Sequence, residues 1–284
     1  MGGYSFDTTK YKNKIISIGK RFGLNINLDN PTTIQDKLNW LNIYDPMLLK
    51  SKCADKVLLH EYSKETLGED ICVPIYGSWD KTKDIEWDKL PNKFALKCNH
   101  GSGMNIICKD KNKFNKIDAI KKLDRWLSID YAFFHGGCES HYHDIKRKVF
   151  AEKYIGNENG KCPTDYKFWC FNGEPKFIHV VHDRFSSIMH FDFYDLDFNK
   201  IDLEQTNHPK SNIKLPTPKA LDKMIEFSKK LSKPFKFVRC DFYEIDDEPI
   251  LGEMTFVPDM GIFKYKDTND NKRIGDMLKV KEGV

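Results

Sequence analysis

The chain has little of what marks a secreted, membrane-bound or nucleic-acid-binding protein. Its 284 residues include eight cysteines but no Cys-x-x-Cys pair, and no signal peptide opens the sequence. We therefore expect reduced thiols in a cytoplasmic protein. No apolar run approaches the length of a membrane-spanning helix, so we expect no integral membrane segment. Phe6 stands where a myristoylation signal has serine or threonine. The net charge is only +4, which gives no argument for a nucleic-acid partner or a polybasic anchor.

The apolar content is sufficient for a large core, since 40% of the residues are hydrophobic and 13% are aromatic. Helical periodicity dominates up to about residue 70, where Thr33 and Asp36 form a predicted capping box. Strands and hairpins dominate beyond Pro91, including a hairpin around Asn172-Gly173. Because hairpins rather than βαβ units connect the strands, the sequence predicts an α+β protein with antiparallel sheets.

Residues 237–255 predict a hairpin that carries a charged site. Arg239 and Asp241 are two residues apart on the first predicted strand, so they share one face of the sheet. Glu253 and Thr255 have the same spacing on the second strand. A single register with an odd-length loop places Asp241 opposite Glu253 and Arg239 opposite Thr255.

Two carboxylates so close together repel each other unless a cation lies between them. Hard oxygen ligands at this spacing suit Mg²⁺, which takes one or two protein carboxylates together with substrate phosphates. The alternative is a surface hairpin with scattered charges around its predicted turn at 246–249. Apolar neighbours such as Phe237, Phe242 and Leu251 argue against a solvated strand pair.

A glycine-rich turn follows Lys97, which ends an apolar predicted strand. The turn Gly101-Ser102-Gly103 lets backbone N–H groups approach phosphate oxygens, and the lysine supplies positive charge. It is not a Walker loop, because no Gly-Lys-Ser/Thr sequence opens a helix here. For this motif alone, a plain hairpin turn remains the alternative. Further along, the strand through Glu152 ends in a polar turn, where an apolar slot and edge hydrogen bonds could hold an adenine.

The order of these motifs resembles the ATP-grasp superfamily, and more specifically the TupA-like ATP-grasp proteins of bacterial surface-polysaccharide and teichuronopeptide biosynthesis. The segments that carry the resemblance are 30–41, 93–103, 165–178 and the hairpin 237–255. Together they span nearly the whole chain. The resemblance implies an ATP-grasp fold, in which two antiparallel-sheet lobes clasp a nucleotide beside a helical N-terminal segment.

The same resemblance implies a division of the chain into three parts. A mostly helical, substrate-side region is expected over residues 1–90. A small lobe with the glycine loop is expected over 91–152, and a C-terminal lobe with the metal site over 153–284. The sequence does not indicate the oligomeric state.

The resemblance also implies which residues of these motifs bind ATP and which bind a metal ion. The residues expected to contact ATP, from the phosphates to the base and the ribose, are Lys97, Gly101, Ser102, Gly103, Glu152, Lys153, Ile155, Asp165 and Lys167. Asp241 and Glu253 would hold Mg²⁺. Arg239 and Lys97 would act in catalysis, with Arg239 stabilising the transferring phosphoryl group. Many ATP-grasp enzymes have asparagine where Thr255 stands. A threonine hydroxyl can still bind Mg²⁺, so the number of metal ions, one or two, is left open.

The resemblance also implies a reaction. ATP would activate a carboxylate as an acyl phosphate, which an amine then attacks to form an amide. The carboxylate would belong to a uronic acid or acidic peptide, as a small molecule or sugar nucleotide, in a capsule or cell-wall precursor. One alternative is a phosphotransferase that phosphorylates a small acceptor directly. Another is a non-catalytic nucleotide-binding subunit, against which Lys97, Arg239, Asp241 and Glu253 argue.

Two further features stay open at this stage. Arg184 could recognise a carboxylate, and a surface ion pair with Asp183 or another acid is the alternative. The segment from His135 to His143 contains histidines and Cys138, but their spacing matches no standard zinc site. A lid or acceptor-contact loop and an inert connector are the other interpretations of this segment.

Overall fold

The computed structural model describes residues 8–133, 138–156, 163–182 and 189–280. The helices are α1 (Thr8–Arg21), α2 (Ile34–Tyr44), α3 (Leu48–Ala54), α4 (Leu59–Leu67), α5 (Lys116–Leu127), α6 (Leu221–Ser232) and α7 (Thr268–Gly275). The strands are β1 (Ile75–Trp79), β2 (Phe94–Cys98), β3 (Asn105–Cys108), β4 (Val149–Lys153), β5 (Asp165–Phe171), β6 (Glu174–His182), β7 (His190–Tyr194), β8 (Phe237–Ile245) and β9 (Glu248–Thr255). Short 3₁₀ turns occur at Thr82–Asp84, Trp87–Lys89, Lys111–Lys113, Tyr131–Phe133, Ser140–Tyr142 and Pro258–Gly261.

The strands form two antiparallel sheets, which confirms the predicted α+β class. The small sheet has the order β1-β4-β2-β3, and the large sheet has the order β7-β6-β5-β8-β9. β1 pairs with β4 although it lies in the region 1–90, which was predicted to be mostly helical. The small sheet therefore takes one strand from that region. The boundaries at residues 90 and 152 otherwise remain predictions.

The large sheet is covered on both faces, as the side chains of its central strand β5 show. Phe168 and Cys170 point into one apolar cluster together with residues of α6, while Trp169 and Phe171 point into a second cluster with residues of α2 and α7. This alternation follows the two-residue period of a strand. All four side chains are almost fully buried, and burying an aromatic side chain of this size contributes about 1.5–3 kcal/mol. The sheet is thus a rigid base for the polar residues at its end.

Helix α2 begins with the capping box that the sequence predicts. The Thr33 side chain accepts a hydrogen bond from the Asp36 N–H, and the Asp36 carboxylate accepts one from the Thr33 N–H. The helix also buries polar side chains, which bind the C-terminal part of the chain. Gln35 Nε2 donates to the Phe263 carbonyl at 2.8 Å, and Lys37 Nζ donates to the Leu278 carbonyl at 2.9 Å. Hydrogen bonds therefore fix α2 against the segment that follows β9.

The turn of the β8–β9 hairpin differs from the prediction of an odd-length loop. Only Asp246 and Asp247 form the turn, with positive φ angles of 55° and 64°, and Ile245 pairs directly with Glu248. Two residues with positive φ are typical of the turn type that matches strand twist. A bulge at Gly252 then adds one residue to β9 and shifts the pairing. Asp241 still pairs with Glu253, and Arg239 with Thr255, as predicted. These pairs form because the extra residue of the bulge compensates for the shorter loop.

None of the described helices has the length and apolar content that crossing a bilayer requires.

Candidate active site

A cleft of about 210 Å³ is lined by both sheets. The sequence-predicted residues that line it are Lys97, Gly101, Ser102, Gly103, Asp165, Lys167, Asp241 and Glu253. They come from β2 and its following turn on one side and from β5, β8 and β9 on the other. Motifs separated by up to about half of the chain therefore meet at one place.

The hairpin β8–β9 has the register that the sequence predicts at its charged end. Asp241 lies opposite Glu253, and Arg239 lies opposite Thr255. Arg239 binds Asp241 through two parallel hydrogen bonds, each 2.7 Å long, from Nε and Nη2 to the two carboxylate oxygens. Arg239 Nη2 also donates to Thr255 Oγ1 at 3.2 Å. Such a bidentate pair fixes the plane of the guanidinium group.

Lys167 joins the central strand β5 to the same cluster. Its Nζ is 2.5 Å from Asp241 Oδ2 and 2.7 Å from Asp165 Oδ2. All three side chains are buried, and lysine and aspartate are rarely so buried unless they are paired. Because β5 pairs with β8 so that Lys167 faces Asp241 directly, the sheet itself sets this contact.

Several cations surround Glu253 and lower the pKa of its carboxyl group. Burial alone would raise its pKa, but Lys56, Lys167, Arg239 and Lys97 together lower the pKa to about 2. Within the described part of the chain, its nearest cations are 3.9 Å away, at Lys56 Nζ and Arg239 Nη2. These distances are longer than direct hydrogen bonds. Glu253 is therefore an ionised carboxylate with oxygens available to another ligand.

On the small sheet, Lys97 forms an ion pair with Glu152, with Nζ and Oε1 2.5 Å apart. Lys97 pairs with Phe150 across β2 and β4, so Glu152 is its diagonal neighbour on the same face. The sequence predicts both residues at the nucleotide. Lys97 lines the cleft, and Glu152 fixes the position of its ammonium group.

The glycine loop between β2 and β3 needs its glycines for steric reasons. A Cβ atom on Gly101 would lie 2.5 Å from the ring of Tyr131, and Gly103 has a φ of 73°. The residue between them, Ser102, is exposed at the cleft. The loop thus presents backbone to the cleft, as expected for a phosphate-covering loop.

Lys56 also lines the cleft, although no sequence motif predicted it there. It lies between α3 and α4, and its Nζ donates to the Gly101 carbonyl at 2.7 Å. Burial lowers the pKa of Lys56, whereas the nearby Glu253 opposes this effect. No local signal in the sequence distinguishes Lys56, because Lys50, Lys52 and Glu61 are charged neighbours in the same region.

A buried asparagine positions the Lys56 segment against the glycine loop. Asn99 Nδ2 donates to Asp55 Oδ2 at 2.8 Å, and the Lys56 N–H donates to the Asn99 carbonyl at 3.4 Å. Asn99 Oδ1 accepts from the Lys148 N–H at 2.7 Å. Asn99 is completely buried, so each of these bonds is made away from water. Asn99 therefore connects three segments of chain beneath the cleft.

The acidic pair at the end of the hairpin fits a hard divalent cation. Asp241 and Glu253 are directly opposite each other, and carboxylate oxygens are preferred ligands of Mg²⁺. Glu253 has no described partner closer than 3.9 Å. Both Asp241 oxygens and Thr255 Oγ1 already accept hydrogen bonds from Arg239 or Lys167, so Glu253 offers the most available oxygens of the predicted set.

Some of the predicted residues do not line the cleft, and others lie outside the described residues. Lys153 is exposed at the end of β4 and Ile155 is half-buried, and neither is among the described residues that line the cleft. Their roles at the base remain predictions. Arg184 and His135 lie outside the described residues. Of the described members of the His135–His143 segment, none belongs to a group of potential metal ligands.

The two sheets, with a glycine loop over one and a charged hairpin in the other, define an ATP-grasp fold. The family model of TupA-like ATP-grasp proteins matches residues 36–279, and the chain belongs to this family. Members of the ATP-grasp superfamily bind ATP and typically Mg²⁺, and they are mostly ligases that bind a carboxylate and an amine.

Among solved structures, the chain is similar to a D-alanine–D-alanine ligase from Bacillus anthracis complexed with ATP, at 20% identity and a TM-score of 0.45. The match covers 86% of this chain and 72% of that one. A D-alanine–D-alanine ligase from Helicobacter pylori matches at 18% identity and a TM-score of 0.42, with 80% and 61% of the chains covered. A phosphoribosylglycinamide synthetase from Anaerococcus prevotii matches at 12% identity and a TM-score of 0.41, with 88% and 56% covered. No curated protein sequence matches the chain.

Proposed function

We propose that the protein is an ATP-dependent carboxylate–amine ligase that acts through an acyl phosphate and releases ADP. Its carboxylate substrate would be a uronic acid or acidic peptide of a bacterial capsule or cell-wall precursor. The observation that carries the proposal is the cleft in which Lys56, Lys97 and Lys167 face the carboxylates Asp241 and Glu253. A binder of an uncharged ligand has no need for so many buried charges, whose desolvation is costly.

The charged side chains suit the separate demands of phosphoryl transfer. Lys56, Lys97 and Lys167 provide positive charge for the phosphates of ATP, and the glycine loop offers its backbone N–H groups. Arg239 is held rigidly by Asp241 and can stabilise charge on the phosphoryl group as it moves to the substrate carboxylate. No nucleophilic side chain is required, since the substrate carboxylate attacks the γ-phosphorus directly.

Asp241 and Glu253 are the residues that would hold Mg²⁺. Mg²⁺, when bound, would neutralise charge on the β and γ phosphates and align them for transfer. Lys167 and Arg239 would keep Asp241 in its present orientation.

Nucleotide turnover with defined substrates tests the proposal. The purified protein is incubated with ATP and Mg²⁺, and uronic acids and short acidic peptides are combined with amino acids and amino sugars. We expect ADP release only where an acid and an amine are both present, together with an amide product detected by mass spectrometry.

Other outcomes would contradict the ligase. ADP release with an acceptor alone, giving a stable phosphorylated product, would indicate a phosphotransferase. Release of AMP would contradict an acyl phosphate. Nucleotide binding without turnover under any combination would indicate a non-catalytic subunit.

A further inference from the structure

A histidine, an aspartate and a cysteine lie close together beside helix α4, away from the proposed ATP site. The metal-binding atoms of His60, Asp70 and Cys72 are all within 4.8 Å of one another. His60 Nδ1 is 2.7 Å from Asp70 Oδ2. None of the three is among the described residues that line the cleft with the three lysines. The chemistry described so far therefore gives this cluster no role.

The turn that follows α4 reverses the chain toward the start of the helix. Gly68 ends the helix with a φ of 86°, a left-handed conformation that favours glycine. Ser63 Oγ then donates to the Glu69 carbonyl and accepts from the Ile71 N–H, both at 3.2 Å. Ser63 is fully buried, and it lies three residues after His60 on the same side of the helix. The residues after the turn are thereby held near His60.

Hydrogen bonds orient both oxygens of Asp70. Oδ1 accepts from the Cys72 N–H at 3.0 Å, and Oδ2 faces His60 Nδ1. The cluster can be reached from solvent, since 39% of the Asp70 side chain and 20% of the His60 side chain are exposed. Cys72 is buried and its thiol is free. An ion can therefore enter past the histidine and the aspartate and meet the sulfur at the inner end.

We propose that His60, Asp70 and Cys72 bind a zinc ion, with a water molecule as the fourth ligand. An imidazole nitrogen, a carboxylate oxygen and a thiolate sulfur are the three kinds of donor that Zn²⁺ takes in proteins. The sulfur argues against Mg²⁺ and Ca²⁺, which take oxygen ligands, and the carboxylate argues against Cu⁺, which prefers sulfur. This site is independent of the proposed ligase function.

The three side chains need only small movements to bind the ion. Ligand atoms placed tetrahedrally about 2.0–2.3 Å from zinc are about 3.3–3.6 Å apart. His60 Nδ1 and Asp70 Oδ2 would separate by about 0.6 Å, and a pair at the 4.8 Å limit would approach by about 1.2 Å. The ion would replace the proton between His60 and Asp70, with the imidazole proton on Nε2, and would displace the thiol proton of Cys72.

The cluster lies where the chain covers an edge of the large sheet. Strand β9 is at that edge, and the Leu251 N–H donates to the Ile71 carbonyl at 2.9 Å. Cys72 also forms a parallel bridge with Leu251. Zinc would therefore fasten to α4 the segment that covers β9, the strand that carries Glu253. Its role would be to stabilise this edge of the folded protein.

Titration with Co²⁺ and then Zn²⁺ tests the site. The purified protein is kept reduced with a phosphine, which leaves the metals free, and excess Mg²⁺ is present throughout. We expect a single Co²⁺ site per chain, with a thiolate-to-cobalt charge-transfer band and the intense visible bands of tetrahedral cobalt. Zinc should then remove this spectrum by displacing cobalt. The oxygen ligands of the ATP cleft cannot produce the charge-transfer band, because it requires a cysteine ligand.

Three substitutions assign the ligands. Cys72→Ala should abolish the charge-transfer band. His60→Gln should weaken zinc binding by at least about 100-fold, because residues that merely support a metal ligand already contribute about 10- to 100-fold. Asp70→Asn, at the most exposed of the three positions, should weaken it by at least about 10-fold. Zinc at about 100 times its Kd should raise the Tm of the wild type by about 5 °C, and that of His60→Gln by about 1 °C or less.

Matched controls exist elsewhere in the chain. His143→Gln breaks a similar pair, in which Nδ1 is 2.9 Å from Asp144 Oδ1, but no described group of potential metal ligands contains it. Cys108→Ala removes another buried free cysteine, on β3. Neither change should alter the cobalt spectrum or the affinity for zinc.

A cobalt spectrum without the charge-transfer band would overturn the inference. Equal zinc affinity in the wild type, His60→Gln and Asp70→Asn would also overturn it, since the bound ion would then be adventitious. Loss of the band in Cys108→Ala instead of Cys72→Ala would place the metal at a different cysteine. None of these results bears on the ligase, because ADP release is measured separately.

Discussion

Glu253 in the proposed phosphate cleft and Glu139 are two carboxyl groups whose surroundings shift the pKa in opposite directions. In the cleft, each buried acid has a cation beside it, as Asp241 has Arg239 and Lys167. The surrounding lysines and arginine lower the pKa of Glu253 to about 2. At Glu139, burial dominates and the pKa rises to about 8. At Glu253 the neighbouring cations outweigh the effect of burial on the pKa, whereas at Glu139 they do not.

The largest effect is expected at the hairpin acids. Glu253→Gln and Asp241→Asn should each lower ATP turnover by on the order of 10²–10³-fold or more, because electrostatic stabilisation of the phosphoryl group depends on them. Circular dichroism should show that both variants retain the fold. Glu248→Gln, an exposed acid at the other end of the same hairpin, is the control and should have full activity. Near-normal turnover in either site variant with Mg²⁺ would show that the metal ligands are assigned wrongly.

A smaller effect is expected from Lys56. Lys56→Met should lower kcat/KM for ATP by about 10- to 100-fold, since it removes one charged hydrogen-bond donor from the phosphate cleft. Lys56→Arg should recover part of this loss. Lys52→Met removes a nearby lysine that pairs with Glu61 and Glu65 on the surface, and it should change neither kcat nor KM. Equal effects of the two methionine variants would mean that Lys56 acts on stability rather than on ATP.

Removal of the buried asparagine tests how Lys56 is positioned. Asn99→Ala should lower the free energy of unfolding by about 1–3 kcal/mol, because it leaves the Lys148 N–H and Asp55 without their partner. It should also raise the KM for ATP, although Asn99 does not line the cleft. Chemical denaturation and steady-state kinetics measure the two effects. Lost stability with an unchanged KM would restrict Asn99 to a purely structural role.

The sharpest contrast between Glu139 and Glu253 is in the pH dependence of stability. The pKa of Glu139 is raised from 4.5 to about 8 in the folded protein. The folded state then binds more protons than the unfolded state between these values, so stability falls as pH rises through this window. Glu139→Gln removes this dependence of stability on pH. Its Tm should exceed that of the wild type increasingly from pH 5 to pH 8, by about 2–4 °C for each kcal/mol.

Glu253→Gln should show the opposite trend. Because the folded-state pKa of Glu253 is lowered to about 2 from 4.5, its stabilising contribution is present above the higher value and is lost as pH falls through the lower one. The variant should therefore be less stable than the wild type at neutral pH and should approach it in acid. If the Tm difference from the wild type changed with pH in the same direction for both glutamine variants, the contrast between Glu139 and Glu253 would be contradicted.

Local patterns made part of this site predictable from the sequence. Alternation along two strands was enough to place Arg239 with Asp241 on one face and Glu253 with Thr255 on one face, but the pairing of Asp241 with Glu253 also depends on the bulge. The capping box of α2 was readable from Thr33 and Asp36. The loop length was wrong because a bulge at Gly252 adds a residue that strand periodicity alone does not reveal.

The missed residues depend on contacts between distant parts of the chain. Lys56 reaches a carbonyl 45 positions away, and no local pattern specifies that distance. Glu139 depends on its burial and on two asparagines of α2 that hold separate loops. The burial of the polar side chains of α2 and the identity of their partners are evident only in the folded chain.

The most direct test of the central claim is a crystal structure of the protein with ADP and Mg²⁺. We expect the phosphates to lie against Lys56, Lys97 and Lys167 under the glycine loop, and the metal to contact Asp241 and Glu253. Nucleotide bound away from these lysines, or a metal ion that touches neither acid, would contradict the account.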